Sequence, residues 1–234
     1  MFYGLLLVTP YLGRGDGGAA LRMRHTRRWS LGFLSLLGVR LEVRGSPRAG
    51  AKLMVANHVS WLDILAIDAV EPARFVSKAE VRHWPLFGRL AVAVGTLFIE
   101  RDRARDALRV VHRMAEALRA GDTLAVFPEG TTSDGRALLP FHANLLQAAI
   151  VTAMPVQAVA LRFSDATNAF SPAVEYVGAT TLKQSVWAIA CAQGLCVHVE
   201  LLPAQSVAHA DRRRLAARLR EEIGEAIGLE SPAA

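Results

Sequence analysis

The chain has 234 residues, 52% of them hydrophobic, with a net charge of +6 and a mean hydropathy of +0.26. That length suits one α/β domain with a sizeable core, and so apolar a composition leaves surface for lipid. Residues 1–48 carry eight arginines against Asp16 and Glu42, which accounts for the whole net charge, so the rest of the chain is balanced. A basic leading segment on a neutral body suits an anionic membrane surface, or else is a solvated arm. Balanced charge beyond residue 50 and 7% aromatics argue against nucleic-acid binding.

Met1–Val8 is apolar but short, and it lacks the basic start and cleavage site of a signal peptide. No stretch reaches the ~20 apolar residues of a spanning helix. The glycine-rich Gly13–Gly18 reads as a flexible joint. A second apolar run, Trp29–Leu41, follows Arg22, Arg24, Arg27 and Arg28; it reads as an interfacial helix with a cationic shoulder, or as a core helix docked on the domain. The expected division is a membrane-associating segment over 1–48 and a catalytic domain over 49–234.

From residue 50, short apolar runs alternate with helical stretches. Strands are expected at Lys52–Ala56, Arg74–Ser77, Thr96–Glu100, Thr123–Phe127, Pro155–Phe163 and Leu195–Leu202, with a weaker one near Val174–Val177. Helices are expected at Trp61–Val70, Pro85–Val94, Arg103–Ala120, Phe141–Ala153, Leu182–Gln193 and Asp211–Ile227, with Gly121 as a C-terminal cap. This alternation predicts an α/β fold: a mixed, largely parallel sheet flanked by helices, with the helical membrane-associating segment before it. Cys191 and Cys196 read as two small buried hydrophobes rather than a disulfide, and no residues near them have metal-ligand spacing.

Four motifs carry the chemistry. In Asn57-His58-Val59-Ser60-Trp61-Leu62-Asp63, a strand exit precedes a helix start. If the chain turns between them, Asp63 accepts from one ring nitrogen of His58 and leaves the other as a base of fixed tautomer. The same residues also read as a helix start capped by Ser60, with Asp63 favoured at the third position. In Gly95-Thr96-Leu97-Phe98-Ile99-Glu100-Arg101, a strand delivers a charged pair to its carboxyl end, where Arg101 suits a phosphate; a solvated charge cluster is the plainer reading. In Phe127-Pro128-Glu129-Gly130-Thr131-Thr132-Ser133, Gly130 allows close backbone approach, the following N–H and hydroxyl groups suit an oxyanion, and Glu129 suits a substrate hydroxyl; a turn is the plainer reading. Met154-Pro155-Val156 reads as a strand entry.

These four motifs, in this order over residues 50–205, resemble the 1-acyl-glycerol-3-phosphate (lysophosphatidate) acyltransferase family. The resemblance implies that His58 is the general base on an acceptor hydroxyl and that Asp63 orients it. The hydroxyl then attacks the thioester of acyl-CoA or acyl-carrier protein directly, without an acyl-enzyme. It implies that Arg101 binds phosphate, with Lys78 of Ser-Lys-Ala-Glu as a second charge, and that Glu129, Gly130 and Thr131 bind the acceptor. Pro155 is associated with donor binding. The product would be phosphatidate from the sn-2 hydroxyl of lysophosphatidate, formed without metal or cofactor at the cytoplasmic face of a bacterial inner membrane. One departure matters: many members place a cation after Glu-Gly-Thr, whereas this chain has Thr132 there and its next basic residue is Arg136. Another lysolipid acceptor, such as a lyso-ornithine lipid, therefore stays open. A hydrolase of acyl thioesters and a non-enzymatic membrane-binding module are the readings from other classes.

Overall fold

β-strands need partners on both edges and apolar cover on both faces, and the chain supplies both by alternating strand with helix. The structure is a computed structural model and describes residues 16–83, 87–99 and 104–229. Seven strands form one sheet: β1 (Arg40–Gly45), β2 (Lys52–Ala56), β3 (Arg74–Lys78), β4 (Leu97–Ile99), β5 (Thr123–Val126), β6 (Val156–Ser164) and β7 (Cys196–Leu201). Their order is β1-β7-β6-β2-β5-β3-β4. The five strands β6, β2, β5, β3 and β4 run parallel; β7 runs antiparallel to β6, and β1 parallel to β7. This is the mixed, largely parallel α/β sheet expected.

The helices are α1 (Asp16–Leu36), α2 (Leu62–Val70), α3 (Phe87–Ala93), α4 (Ala104–Arg119), α5 (Gln147–Thr152), α6 (Leu182–Cys191) and α7 (Arg212–Ala226). Period-two alternation divides each central strand between two cores. On one face Met54, Ala56, Val159, Leu161 and Val197 pack with Leu34 of α1, Leu62 and Ala66 of α2, and Ile189 of α6. On the other, Leu53, Val55, Leu124 and Ala158 pack with Met114 and Leu118 of α4, Ala148 of α5, and Leu219 and Ile223 of α7. Every residue of β2 and β5 is buried, as central parallel strands require. Lys52 is buried too: its ammonium donates to Arg48 O and Glu71 Oε1, both at 2.7 Å.

The leading segment differs most from expectation. Its helix ends at Leu36, and Arg40–Gly45 forms the edge strand β1 rather than the end of an apolar helix. The reason is the alternation Arg40-Leu41-Glu42-Val43-Arg44, a half-exposed strand pattern. α1 docks on the domain: Thr26, Ser30 and Leu34 are buried along one side, Trp29 and Phe33 pack on the core, and Arg27 Nε donates to Ala69 O at 3.1 Å. Among the described residues, no helix is long and apolar enough to cross a membrane. The Met1–Val8 run lies outside the described residues.

Two smaller differences have local causes. The weak strand near Val174–Val177 is replaced by a 3₁₀ turn over Pro172–Val174, because Pro172 follows a Ser171 whose hydroxyl accepts from Ala173 N–H. The helix expected from Phe141 starts as a 3₁₀ turn at Ala143 and stops at Ala153, which takes a left-handed φ of 50°. Cys196 is buried, but Cys191 at the end of α6 is exposed. Cys196 also shares the β1–β7 edge with Glu42 and His198, each offering a ligand atom within 4.8 Å of the others, a grouping that sequence spacing does not reveal.

Asp68 on α2 is buried, and its Oδ1 accepts from Ala73 N–H at 3.1 Å, closing the turn into β3. Burial pushes its carboxyl up to about 8, against the downward pull of that hydrogen bond. The folded state therefore holds a proton that the unfolded chain releases near pH 4, and stability falls as pH rises between these values. The thermal midpoint should be lower at pH 8.5 than at pH 5.5. Asp68→Asn should shrink that difference, as calorimetry of both proteins at the two pH values would show.

Candidate active site

β2 and β5 are neighbours in register, with Val55 opposite Val126, so the loops that follow them leave the sheet side by side. This places His58, two residues beyond β2, against Glu129, three beyond β5. Parallel strands put such exits at one sheet edge, where open α/β folds place ligands.

Asp63 lies in the first turn of α2 and is fully buried. Its Oδ2 accepts three hydrogen bonds: from His58 Nδ1 at 2.7 Å, Val59 N–H at 2.7 Å and Ser60 N–H at 2.9 Å. A carboxylate only accepts, so Nδ1 carries the ring proton and Nε2 is left with a lone pair. Of the two sequence readings of this motif, the structure forms the His58–Asp63 bond but not the Ser60 cap, since the residue before the helix is Trp61 and it has no side-chain cap. Asp63 caps the backbone at the helix start while orienting the imidazole, whereas the Ser60 hydroxyl, the other expected cap, is buried without a partner.

The Phe127–Ser133 loop holds His58 from the other side. His58 N–H donates to Glu129 Oε1 at 2.7 Å, and Ser133 N–H donates to His58 O at 2.9 Å. The imidazole stacks on Phe127 with ring centroids 4.0 Å apart and planes 10° from parallel. Phe127 stacks in turn on Phe75 at 5.8 Å. Backbone N–H, backbone carbonyl, Nδ1 and one ring face are thus all engaged, while the side chain keeps 19% exposure. That combination suits a positioned general base.

Glu129 is occupied on both oxygens, since Oε2 accepts from Leu139 N–H at 2.9 Å. Burial raises its pKa, while the Leu139 and His58 N–H groups pull it down. Gly130 takes φ +74°, a conformation that favours glycine, and its N–H closes the turn on Phe127 O. Among the described residues, no hydrogen bond takes the N–H of Thr131 or Thr132, and both residues line the adjoining cavity.

That cavity has a volume of about 390 Å³. It opens beside His58, Gly130 and Thr131 and runs between α1 and α2 on one side and β3, β4 and their connections on the other. Its wall is mainly apolar: Trp29, Trp61, Ile64, Leu65, Phe75 and Val94. Trp61 is braced by Ser185 Oγ, to which its Nε1 donates at 3.0 Å.

The remaining candidates are placed as follows. Lys78 ends β3 opposite Ile99 of β4; its side chain is outside the described residues. Arg101 lies outside them altogether. Pro155 precedes β6, and its carbonyl accepts from Leu53 N–H at 3.0 Å, a strand-entry role. Arg136 is turned to Glu175 and Phe170 O. Sequence reasoning did not single out Phe127 as a ring partner or Ser133 as a backbone clamp. The adjacent strand exits were the available signal.

Among the described residues, nothing bonds His58 Nε2, and the ring lines the wall of a mainly apolar cavity. A sequence model of the Acyltransferase family matches residues 40–162. The chain is 37% identical over 212 residues to a 1-acyl-sn-glycerol-3-phosphate acyltransferase of Neisseria meningitidis, covering 89% of this chain and 83% of that one. It is also 37% identical over 208 residues to a lyso-ornithine lipid O-acyltransferase of Pseudomonas aeruginosa, covering 87% and 78%. The fold matches the crystal structure of a 1-acyl-sn-glycerophosphate acyltransferase from Thermotoga maritima with a TM-score of 0.72 at 20% identity, over 99% of this chain and 91% of that one. The chain belongs to the acyltransferase family that includes the 1-acyl-sn-glycerol-3-phosphate acyltransferases.

Glu129→Gln separates positioning from acceptor binding. An amide can satisfy only one of the two backbone donors, so the His58 loop should shift and kcat should fall by ~10-fold or more with little change in KM for the acceptor, since small displacements of a reacting group are costly. Steady-state kinetics read this directly; unchanged kcat with a raised KM would return Glu129 to acceptor binding.

Proposed function

We propose that the protein transfers a fatty acyl group from an acyl thioester, on CoA or acyl-carrier protein, to the sn-2 hydroxyl of 1-acyl-glycerol-3-phosphate, giving phosphatidate. The observation that carries this reading is the Asp63–His58 pair, with His58 on the wall of an apolar cavity. His58 Nε2 takes the proton of the acceptor hydroxyl as its oxygen attacks the thioester carbonyl. The negative charge that develops on the carbonyl oxygen suits the N–H groups of Thr131 and Thr132. The thiolate leaves with the proton held by His58, and Asp63 stabilises the imidazolium in between. The residues that perform these steps bring no need of a metal or cofactor.

The acceptor phosphate is assigned to Arg101 and Lys78, on the resemblance of their motifs. The basic leading arginines favour the anionic face of a membrane, where both lipid substrate and product reside. A lyso-ornithine lipid is the second reading, and one observation favours it. The Thr132 hydroxyl is bonded to Tyr176 O, and Arg136 is paired with Glu175, so neither supplies a cation beside Gly130.

Labelled acyl transfer with lysophosphatidate and with lyso-ornithine lipid as acceptors tests these readings together. His58→Ala should reduce transfer ~10²–10⁴-fold, the usual contribution of a general base. Arg101→Ala should lose most activity toward lysophosphatidate. Turnover of the phosphate-free acceptor alone would sink the phosphatidate assignment, and thioester hydrolysis that survives Arg101→Ala without any transfer would favour a hydrolase.

A further inference from the structure

The cavity beside His58 is apolar along most of its wall, but not throughout. Asp68 faces it from α2 and Thr26 from α1, the two being 3% and 4% exposed. Their helices are tied at this level, since Arg27 Nε, on the residue after Thr26, donates to the carbonyl of Ala69, the residue after Asp68. Asp68 uses Oδ1 to accept from Ala73 N–H. Among the described residues, no hydrogen bond reaches Asp68 Oδ2 or the Thr26 hydroxyl. Neither atom is sealed away, since the buried side-chain atoms without partners are those of Ser30, Ser60 and Asp63. Both polar groups are therefore open to the cavity and to whatever fills it.

Their depth says which part of a substrate they meet. Asp68 follows Asp63 by five residues, which is about 7.5 Å along the axis of α2 at 1.5 Å per residue. Asp63 marks the reacting end through His58. The apolar stretch past Trp61, Ile64 and Leu65 toward Asp68 suits the hydrocarbon of the acyl chain. A chain of plain methylenes laid over Asp68 and Thr26 would leave a carboxyl and a hydroxyl unpaired in an apolar setting, which is costly. A chain bearing a hydroxyl at that depth would pair with both: a protonated carboxyl donates and accepts, and so does threonine. A site built to bond a substrate hydroxyl discriminates strongly against the analogue that lacks it.

We propose that Thr26 and Asp68 form a specificity subsite for an acyl chain carrying a hydroxyl within its hydrocarbon portion. This rests on the acyl-transfer reading of His58. The subsite concerns the donor's chain and leaves the identity of the acceptor untouched.

The test uses the full chain, lysophosphatidate and lyso-ornithine lipid as acceptors, and thioester donors of equal chain length, either plain or hydroxylated at successive positions. The readout is the ratio of kcat/KM for each hydroxylated donor to that for the plain one, measured in competition. The wild type should prefer at least one hydroxylated position by about tenfold or more, in line with the cost of an unpaired buried polar group. Thr26→Val, which keeps the shape of the side chain, and Asp68→Leu should each shift that ratio by about tenfold toward the plain donor. Equal ratios in wild type and Thr26→Val, or a preference of the wild type for plain chains at every position, would overturn the subsite while leaving acyl transfer intact. Absence of transfer from every donor to either acceptor would instead remove the function on which the subsite rests.

Discussion

Three hydrogen bonds converge on Asp63 Oδ2, and the geometry of the site follows from them. Two come from the backbone N–H groups of Val59 and Ser60 and turn the chain from β2 into α2. The third comes from His58 Nδ1. One oxygen thus sets the path of the loop, the start of the helix and the tautomer of the base at once. Taking a carboxylate out of water is expensive, and it is sustained only where the donors are well placed. These three are within 2.9 Å, and they compensate for an Oδ1 that is buried without a partner. Such an arrangement tolerates little slack: moving the helix start moves the imidazole.

The sheet makes the second half of the clamp possible. Glu129 and His58 are 71 residues apart, yet parallel pairing of β2 with β5 brings their exits to the same level. Glu129 then spans two loops, taking His58 N–H on one oxygen and Leu139 N–H on the other. Ser133 N–H and the Phe127 ring complete the enclosure. His58 is held by the carboxylates of Asp63 and Glu129, by the Ser133 N–H and by the Phe127 ring face, so its orientation is built into the fold. Preorganisation of this kind removes reorganisation from the reaction barrier.

The elements behind this site were largely legible because buried parallel strands are short apolar runs with polar ends, and three strand exits and one strand entry carry the motifs. His58 and Asp63 were legible as a pair because both lie on one continuous loop. The actual bonding of Glu129 was not, since a carboxylate accepting from a substrate hydroxyl and one accepting from two backbone N–H groups require the same residue at the same place. The edge strand β1 was hidden by its composition: Arg40 and Leu41 read as the end of the apolar run from Trp29, and only β7 beside them supplies the strand pairing. Thr26 and Asp68 were illegible for a different reason. They lie 42 residues apart on separate helices, and only the docking of α1 on α2 brings them to one cavity wall.

That docking also divides the labour of recognition. Helices α1 and α2 line the cavity with Trp29, Trp61, Ile64 and Leu65, a wall suited to hydrocarbon. The loop after β5 offers no cation: Thr132 is bonded to Tyr176 O, and Arg136 is neutralised by Glu175. Under the proposed reaction, the charge that meets an acceptor phosphate is assigned to Lys78, which ends β3 beside β4, and to Arg101, which follows β4 in the chain. Acceptor head group and acyl chain would then, under that reaction, be read by different walls of one cavity, with His58 between them. Changes on the β3–β4 side can alter which lysolipid is acylated without disturbing the chain wall, and changes on α1 or α2 can alter the acyl group without disturbing the base. Relatives named for different acceptors share similar identity with this chain.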